Sequence, residues 1–193
     1  MIRSSYNERN IEEKYGIRWR LMFYHNSVGG VYFSKDSTEL FSCNTMQKFS
    51  DLGALTDRFK ISNKFEFLIE YPEFNYYIHW QQQNNPLNTT TYENIIPIHV
   101  PDNPTPFEGL ALSSEAERNF LDGSSIKDNW HYSIGAYSGW PSSGYFPGPY
   151  IENLVGVSVV KLYVRIMASK TCKQRKSFRF HRFGLLIILL PSK

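Results

Sequence analysis

Apolar and polar side chains alternate most strictly between residues 64 and 80. In Lys64-Phe65-Glu66-Phe67-Leu68-Ile69-Glu70-Tyr71, residues Phe65, Phe67, Ile69 and Tyr71 share one face and Glu66 and Glu70 fall on the other. That period of two is what a half-buried strand requires, so Glu66 and Glu70 are expected to be solvated charges. Pro72 ends the run, and Tyr76-Tyr77-Ile78-His79-Trp80 follows a short turn as its antiparallel partner. Arg20-Leu21-Met22-Phe23-Tyr24 reads as an earlier strand, turned at Gly29-Gly30 into Val31-Tyr32-Phe33. Further strands are expected over 95–100, 109–113, 129–134 and 157–166.

The period changes after Ser50. Leu52, Leu55 and Phe59 fall on one helical face behind a Ser50 N-cap with Asp51 in the first turn, which predicts one short helix packed on a sheet. Residues 1–17 form a polar lead-in, in which Asn7 to Tyr15 predicts a second short helix. Gln81–Thr91 reads as a polar loop, and Pro101, Pro104 and Pro106 impose an irregular connection. The expectation is a mainly β fold: a single antiparallel sandwich or curved-sheet domain over 18–166, with one or two short helices. The strand over 157–166 closes it, so truncation after Ile166 is expected to leave the fold intact. Residues 167–193 turn basic and then apolar at Gly184-Leu185-Leu186-Ile187-Ile188-Leu189-Leu190, a run far short of the ~20 residues of a membrane-spanning helix. This tail reads as a peripheral membrane contact, a partner-binding peptide or an extension without function.

Composition sharpens this picture. At 41% hydrophobic and 16% aromatic, with 13 Tyr, 14 Phe and 4 Trp, the chain is no disordered polymer, and its bias is towards strands. The aromatic supply exceeds the needs of a core of this size, so some rings are expected to face a ligand. The net charge of +3 conceals a division. Residues 1–166 hold 14 Lys and Arg against all 18 Asp and Glu, a net of −4, and the remaining seven basic residues lie in 167–193. A nucleic-acid surface carries its positive charge on the folded body, so no nucleic-acid partner and no transmembrane span are expected. The first twenty residues lack the apolar segment of a secretory signal. Cys43 and Cys172 form no C-x-x-C pair, which fits a reducing compartment or a domain large enough to hold its fold without staples.

Motifs of enzymes and cofactor sites are missing. The chain has no P-loop, no G-x-G-x-x-G and no H-E-x-x-H, and Gly135-Ala136-Tyr137-Ser138-Gly139 misses G-x-S-x-G by one position. His25, His79, His99, His131 and His181 lie at no helical ligand spacing and read as structural. No enzyme activity and no cofactor are therefore expected, although the paired carboxylates of a glycosidase leave no motif. The richest segment is 120–145, where Asp122-Gly123-Ser124, Asp128-Asn129-Trp130-His131-Tyr132, Tyr137, Trp140 and Tyr145 lie among glycines, serines and prolines. Flat rings give contact area at low entropy cost, and short polar chains supply directional hydrogen bonds. Trp140, Tyr137 and Tyr145 are candidates to stack on the C–H face of a sugar, and Asp122, Asp128 and Asn129 to accept its hydroxyls. Other readings stay open. Trp130, Tyr132 and Ile134 alternate like the buried face of a strand. The acidic residues could surround calcium, and an Asx-turn accounts for them with less.

A resemblance points the same way. Trp19-Arg20-Leu21-Met22-Phe23 followed by Gly29-Gly30 resembles the opening of fibrinogen-related and other lectin-like modules. Phe65 through Trp80, Asn85-Pro86, Gly109-Leu110, Phe120-Leu121-Asp122-Gly123 and Trp130 through Gly135 are similar to uncharacterised modules of extracellular invertebrate proteins. The resemblance covers about residues 18–166 and implies ligand recognition outside the cell, with glycans as the ligand and calcium as an occasional cofactor. Fibrinogen-related modules carry internal disulfides and a calcium loop that this chain does not match, so no binding residue is carried over. The expectation is a non-enzymatic module for a carbohydrate, the alternative a domain whose aromatic loop meets a polypeptide.

Overall fold

Phe65, Phe67, Ile69 and Tyr71 share a fully buried face in a computed structural model of the chain. It describes residues 10–89, 91, 93–100, 107–112, 119–124, 134–137, 148–151 and 155–167. In chain order the elements are β1 (Ile11–Lys14), β2 (Ile17–Asn26), α1 (Ser37–Phe41), β3 (Cys43–Asn44), β4 (Lys48–Ser50), β5 (Phe65–Tyr71), β6 (Tyr76–Gln82), β7 (Ile96–His99), β8 (Phe107–Leu112), β9 (Asn119–Ser124), β10 (Ile134–Ala136), β11 (Gly148–Ile151), β12 (Val155–Val157) and β13 (Val159–Arg165). The fold is mainly β and antiparallel, as expected. A large sheet runs β3-β4-β2-β13-β5-β6-β7 with β1 also paired to β2, a small sheet runs β10-β9-β8, and β11 pairs with β12.

The last strand sits inside the large sheet. β13 pairs with β2 on one side and β5 on the other, so both ends of the described chain meet at the centre. Between Leu162 and Tyr163 the β13–β2 register skips Met22, which leaves that residue as a bulge. A bulge shifts the two-residue period by one. Trp19 and Leu21 therefore face outward with Tyr163 and Leu68, whereas Met22, Phe23 and His25 face the core.

The inner face of the large sheet carries the small sheet, giving a two-layer sandwich. Leu110, Leu121 and Ile134 join Phe23, Phe67 and Trp80 in one core cluster. Gln82 brackets the layers. Its Oε1 accepts from Trp80 Nε1 (2.8 Å) and Leu110 N (2.9 Å), and its Nε2 donates to Asn84 O and Leu110 O (both 2.9 Å). The neighbouring Gly109 is required twice over. Its φ is +89°, and a Cβ there would come within 2.9 Å of Gln82 Oε1 and 2.7 Å of Ile95 Cδ1.

Several expectations are corrected. Over 11–14 the helix expected within 7–15 is strand β1, held by the ladder to β2. Over 50–59 there is no single helix. Ser50 ends β4, and two 3-10 turns, Leu52–Ala54 and Asp57–Phe59, are separated by Leu55 and Thr56 in extended conformation. Leu52, Leu55 and Phe59 are nonetheless buried, so the apolar pattern was right and the backbone geometry was not. Ser50 does not cap a helix: its hydroxyl donates to Leu40 O inside the core. Val31–Phe33 forms no strand beside β2, whose neighbours are β13, β4 and β1. The expected strand over 129–134 is described only from Ile134, where β10 begins. No described helix is long and apolar enough to cross a membrane.

Candidate functional site

Of the residues singled out for sugar binding, Trp140, Tyr145, Asp128 and Asn129 lie outside the described residues, as do Trp130 and the tail. Asp122 lies on β9 opposite Ala111. Tyr137 follows β10, half-buried and packed against the core, and burial pushes its phenol up to about 12. The register pairs Ile134 with Leu121 and Ala136 with Asn119, so Asp122 and Tyr137 lie at opposite ends of this strand pair. Four residues of strand separate them, about 13 Å. The two described candidates are therefore not brought together by the sheet.

A different constellation occupies the outer face of the large sheet. On β6 the residues alternate cleanly: Ile78, Trp80 and Gln82 are buried inward, which leaves Tyr77, His79 and Gln81 on the outer side. Cross-strand pairing extends these into rows. One row runs Leu21, Tyr163, Leu68, His79 and His99 across five strands. The next holds Trp19 opposite Arg165 and Glu66 opposite Gln81. The third runs Tyr24, Lys161, Glu70 and Tyr77.

Glu66 is the buried centre of the second row. The sequence made it a solvated charge, but its side chain is only 3% exposed. Oε1 lies 2.9 Å from His79 Nε2, and Oε2 accepts from Gln81 Nε2 (2.9 Å) and Arg165 Nη1 (2.8 Å). Burial pushes the carboxyl up, but the donors His79, Gln81 and Arg165 outweigh it and hold it down at about 2. Glu66 stays ionised and orients three polar heads at once. His79 turns its Nε2 to Glu66, which leaves Nδ1 as its second polar atom. Gln81, whose Nε2 is occupied, presents Oε1, which bonds no described residue. Arg165, with its side chain 38% exposed, adds donors beyond Nη1.

Beside these heads lies a column of flat rings. Tyr77 stacks on His99 (centroids 4.2 Å apart, planes 23° apart) and on Tyr15 (4.8 Å, 26°). Tyr15 comes from the β1–β2 turn, which folds over the outer face. Its neighbour Lys14 is fastened there, with Nζ 2.5 Å from Glu70 Oε2, 2.9 Å from the Tyr163 hydroxyl and 4.2 Å from that ring's centroid. Tyr163 in turn donates to Glu12 Oε1 (3.2 Å); burial and then the charges of Glu70 and Glu12 push its phenol up. Beneath, Trp19 donates Nε1–H to Lys14 O (3.2 Å) and meets His79 edge-on at 5.2 Å.

The face thus gathers a carboxylate, an imidazole, an amide and a guanidinium beside stacked rings. Among the described residues no serine, cysteine or second carboxylate bonds His79 or Glu66. No group of three or more described His, Cys, Asp or Glu side chains could hold a metal. Sequence reading missed the face because Trp19, Glu66, His79 and Arg165 meet only through non-local strand pairing. The one local signal was the alternation of Tyr77, His79 and Gln81. Compared with known proteins, the chain matches no family model, no curated protein and no solved structure.

Proposed function

We propose that the protein is a non-enzymatic binding module for carbohydrate chains and that the outer face of the large sheet is its binding surface. The single observation that carries this reading is the buried Glu66 holding His79, Gln81 and Arg165 beside the Tyr15–Tyr77–His99 ring column. Such a network is a poor device for stability. Each charge-assisted bond contributes about 1.5–3 kcal/mol, while desolvating the ions costs several kcal/mol apiece, and apolar packing often does as well. It is a good device for fixing polar heads. Sugar hydroxyls both donate and accept, and the face offers both: Arg165 donates, Gln81 Oε1 accepts, and His79 Nδ1 adds a third polar atom. Tyr77 and Gln81 are four residues apart on β6, about 13 Å, which suits several linked sugars better than one ring.

Isothermal titration of the full chain with cellohexaose, mannohexaose and chitohexaose tests the reading. At least one is expected to bind, and Arg165→Ala is expected to weaken it about tenfold or more, as the loss of a charged hydrogen bond implies. No heat with any of the three, or equal binding by Arg165→Ala, contradicts it. Competing locations are the Asp122–Tyr145 region, for which Arg165→Ala would be silent, and a polypeptide partner. The second has one supporting observation: Ile96 and Ile98 are 45% and 48% exposed on β7, the last strand of the large sheet among the described residues.

A further inference from the structure

The tip of the β1–β2 hairpin holds an unfavourable residue. Lys14 pairs with Ile17, so Tyr15 and Gly16 alone make the turn, with φ of +55° and +71°. A two-residue hairpin with both φ values positive is a type I′ turn, whose first position favours asparagine, aspartate or glycine. Gly16 meets that demand. Tyr15 does not: a bulky residue in the left-handed region is an outlier, and such strain marks functional positions. Nor is Tyr15 there to fill a core, because it is 61% exposed. The hairpin also needs no ring to hold it down. The β1–β2 ladder, the Lys14 contacts with Glu70 and Tyr163, and the Trp19–Lys14 hydrogen bond already fasten it.

We propose that Tyr15 is a ligand-contacting residue, its phenol held by the strained turn as the exposed outer plane of the column on Tyr77, where it packs on the C–H face of a pyranose. This rests on the carbohydrate reading of the outer face and deepens it. Tyr15 grips one end of the saccharide chain while His79, Gln81 and Arg165 bond hydroxyls further along. The same geometry makes the ligand an oligosaccharide, because Tyr15 stands over Tyr77, at the far end of the β6 stripe from Gln81.

The experiment compares the full chain with its Tyr15→Asn and Tyr15→Phe variants, by thermal melting and by titration with cellohexaose, mannohexaose and chitohexaose. Asparagine suits the turn, so Tyr15→Asn is expected to melt no lower than the wild type yet to bind about tenfold more weakly, the size of one lost aromatic contact. Tyr15→Phe keeps the ring and is expected to bind as the wild type does. A fall of more than about 4 °C in Tyr15→Asn, on the order of 1–2 kcal/mol for a chain of this size, would assign the ring to folding and overturn the inference. Unchanged affinity in Tyr15→Asn would overturn it too while leaving the carbohydrate reading standing. Failure of the wild type to bind any of the three sugars sinks both.

Discussion

Glu66 and His25 are both buried titratable side chains of the large sheet, and their surroundings drive them to opposite charge states. Glu66 meets three donors and stays ionised. His25 is 0% exposed among Phe23, Tyr32 and Phe33, gives Nε2 to Val31 O (2.8 Å), and has no partner for Nδ1 among the described residues. Burial pulls it down to about 4. A depressed folded value means that stability is fully present above the ordinary histidine range and is lost as pH falls from about 6.5 towards 4. Between pH 7 and 5 that loss is about 2 kcal/mol. Urea unfolding at the two pH values should show it in the wild type, and His25→Phe should lack that increment. An equal slope in the variant would mean that His25 is not held neutral. Glu66 has the same sign in a lower window: its contribution is present above about 4.5 and is lost as pH falls towards 2. Glu66→Gln, which removes the negative charge and turns one of the two acceptor oxygens facing His79, Gln81 and Arg165 into an NH2 donor, should cost about 2–4 kcal/mol at pH 7. A variant as stable as the wild type would show that the network contributes nothing net.

At the scale of elements, two devices shape the sheet. The bulge at Met22 turns Trp19 outward and Phe23 inward on one strand, and without it the strand would bury the wrong set on one side of Met22. Gln82 is the second device, using all four hydrogen-bonding capacities of its amide on Trp80, Asn84 and Leu110. Gln82→Leu has nearly the same volume but strips Leu110 N–H and C=O of their partner. We expect a loss of about 2–4 kcal/mol by chemical unfolding; less than about 1 kcal/mol would mean that the small sheet is held by packing alone. The strands β5 and β6 were legible in the sequence because alternation is a local signal. The 50–59 segment was half legible. Leu52, Leu55 and Phe59 are as buried as a helical face predicts, but Gly53 and the extended Leu55 and Thr56 break the helix into two turns. The β1 segment was misread because its polar residues carry no alternation, and its strand comes from the ladder to β2.

For the whole molecule, the decisive pairing is the one furthest apart in sequence. β13 inserts between β2 and β5, and through it Arg165 reaches Glu66 and Tyr163 reaches Lys14. No local pattern announces such a closure, which is why the mainly β sandwich could be foreseen while its outer face could not. Glu66 shows the cost of that gap. Alternation placed it correctly on the outward side, but solvation did not follow from being outward, because Arg165, His79 and Gln81 cover it. Of the many aromatic rings in the sequence, Tyr15 and Tyr77 stand outside the core, in the column with His99.

The measurement that tests this account most directly is amide and indole chemical-shift mapping of the full chain titrated with the tightest binder among cellohexaose, mannohexaose and chitohexaose. The account predicts saturable shifts at Tyr15, Tyr77, His79, Gln81, His99 and Arg165, and at the Trp19 indole that touches His79. Shifts confined to residues 120–147, or none with any of the three sugars, would contradict it.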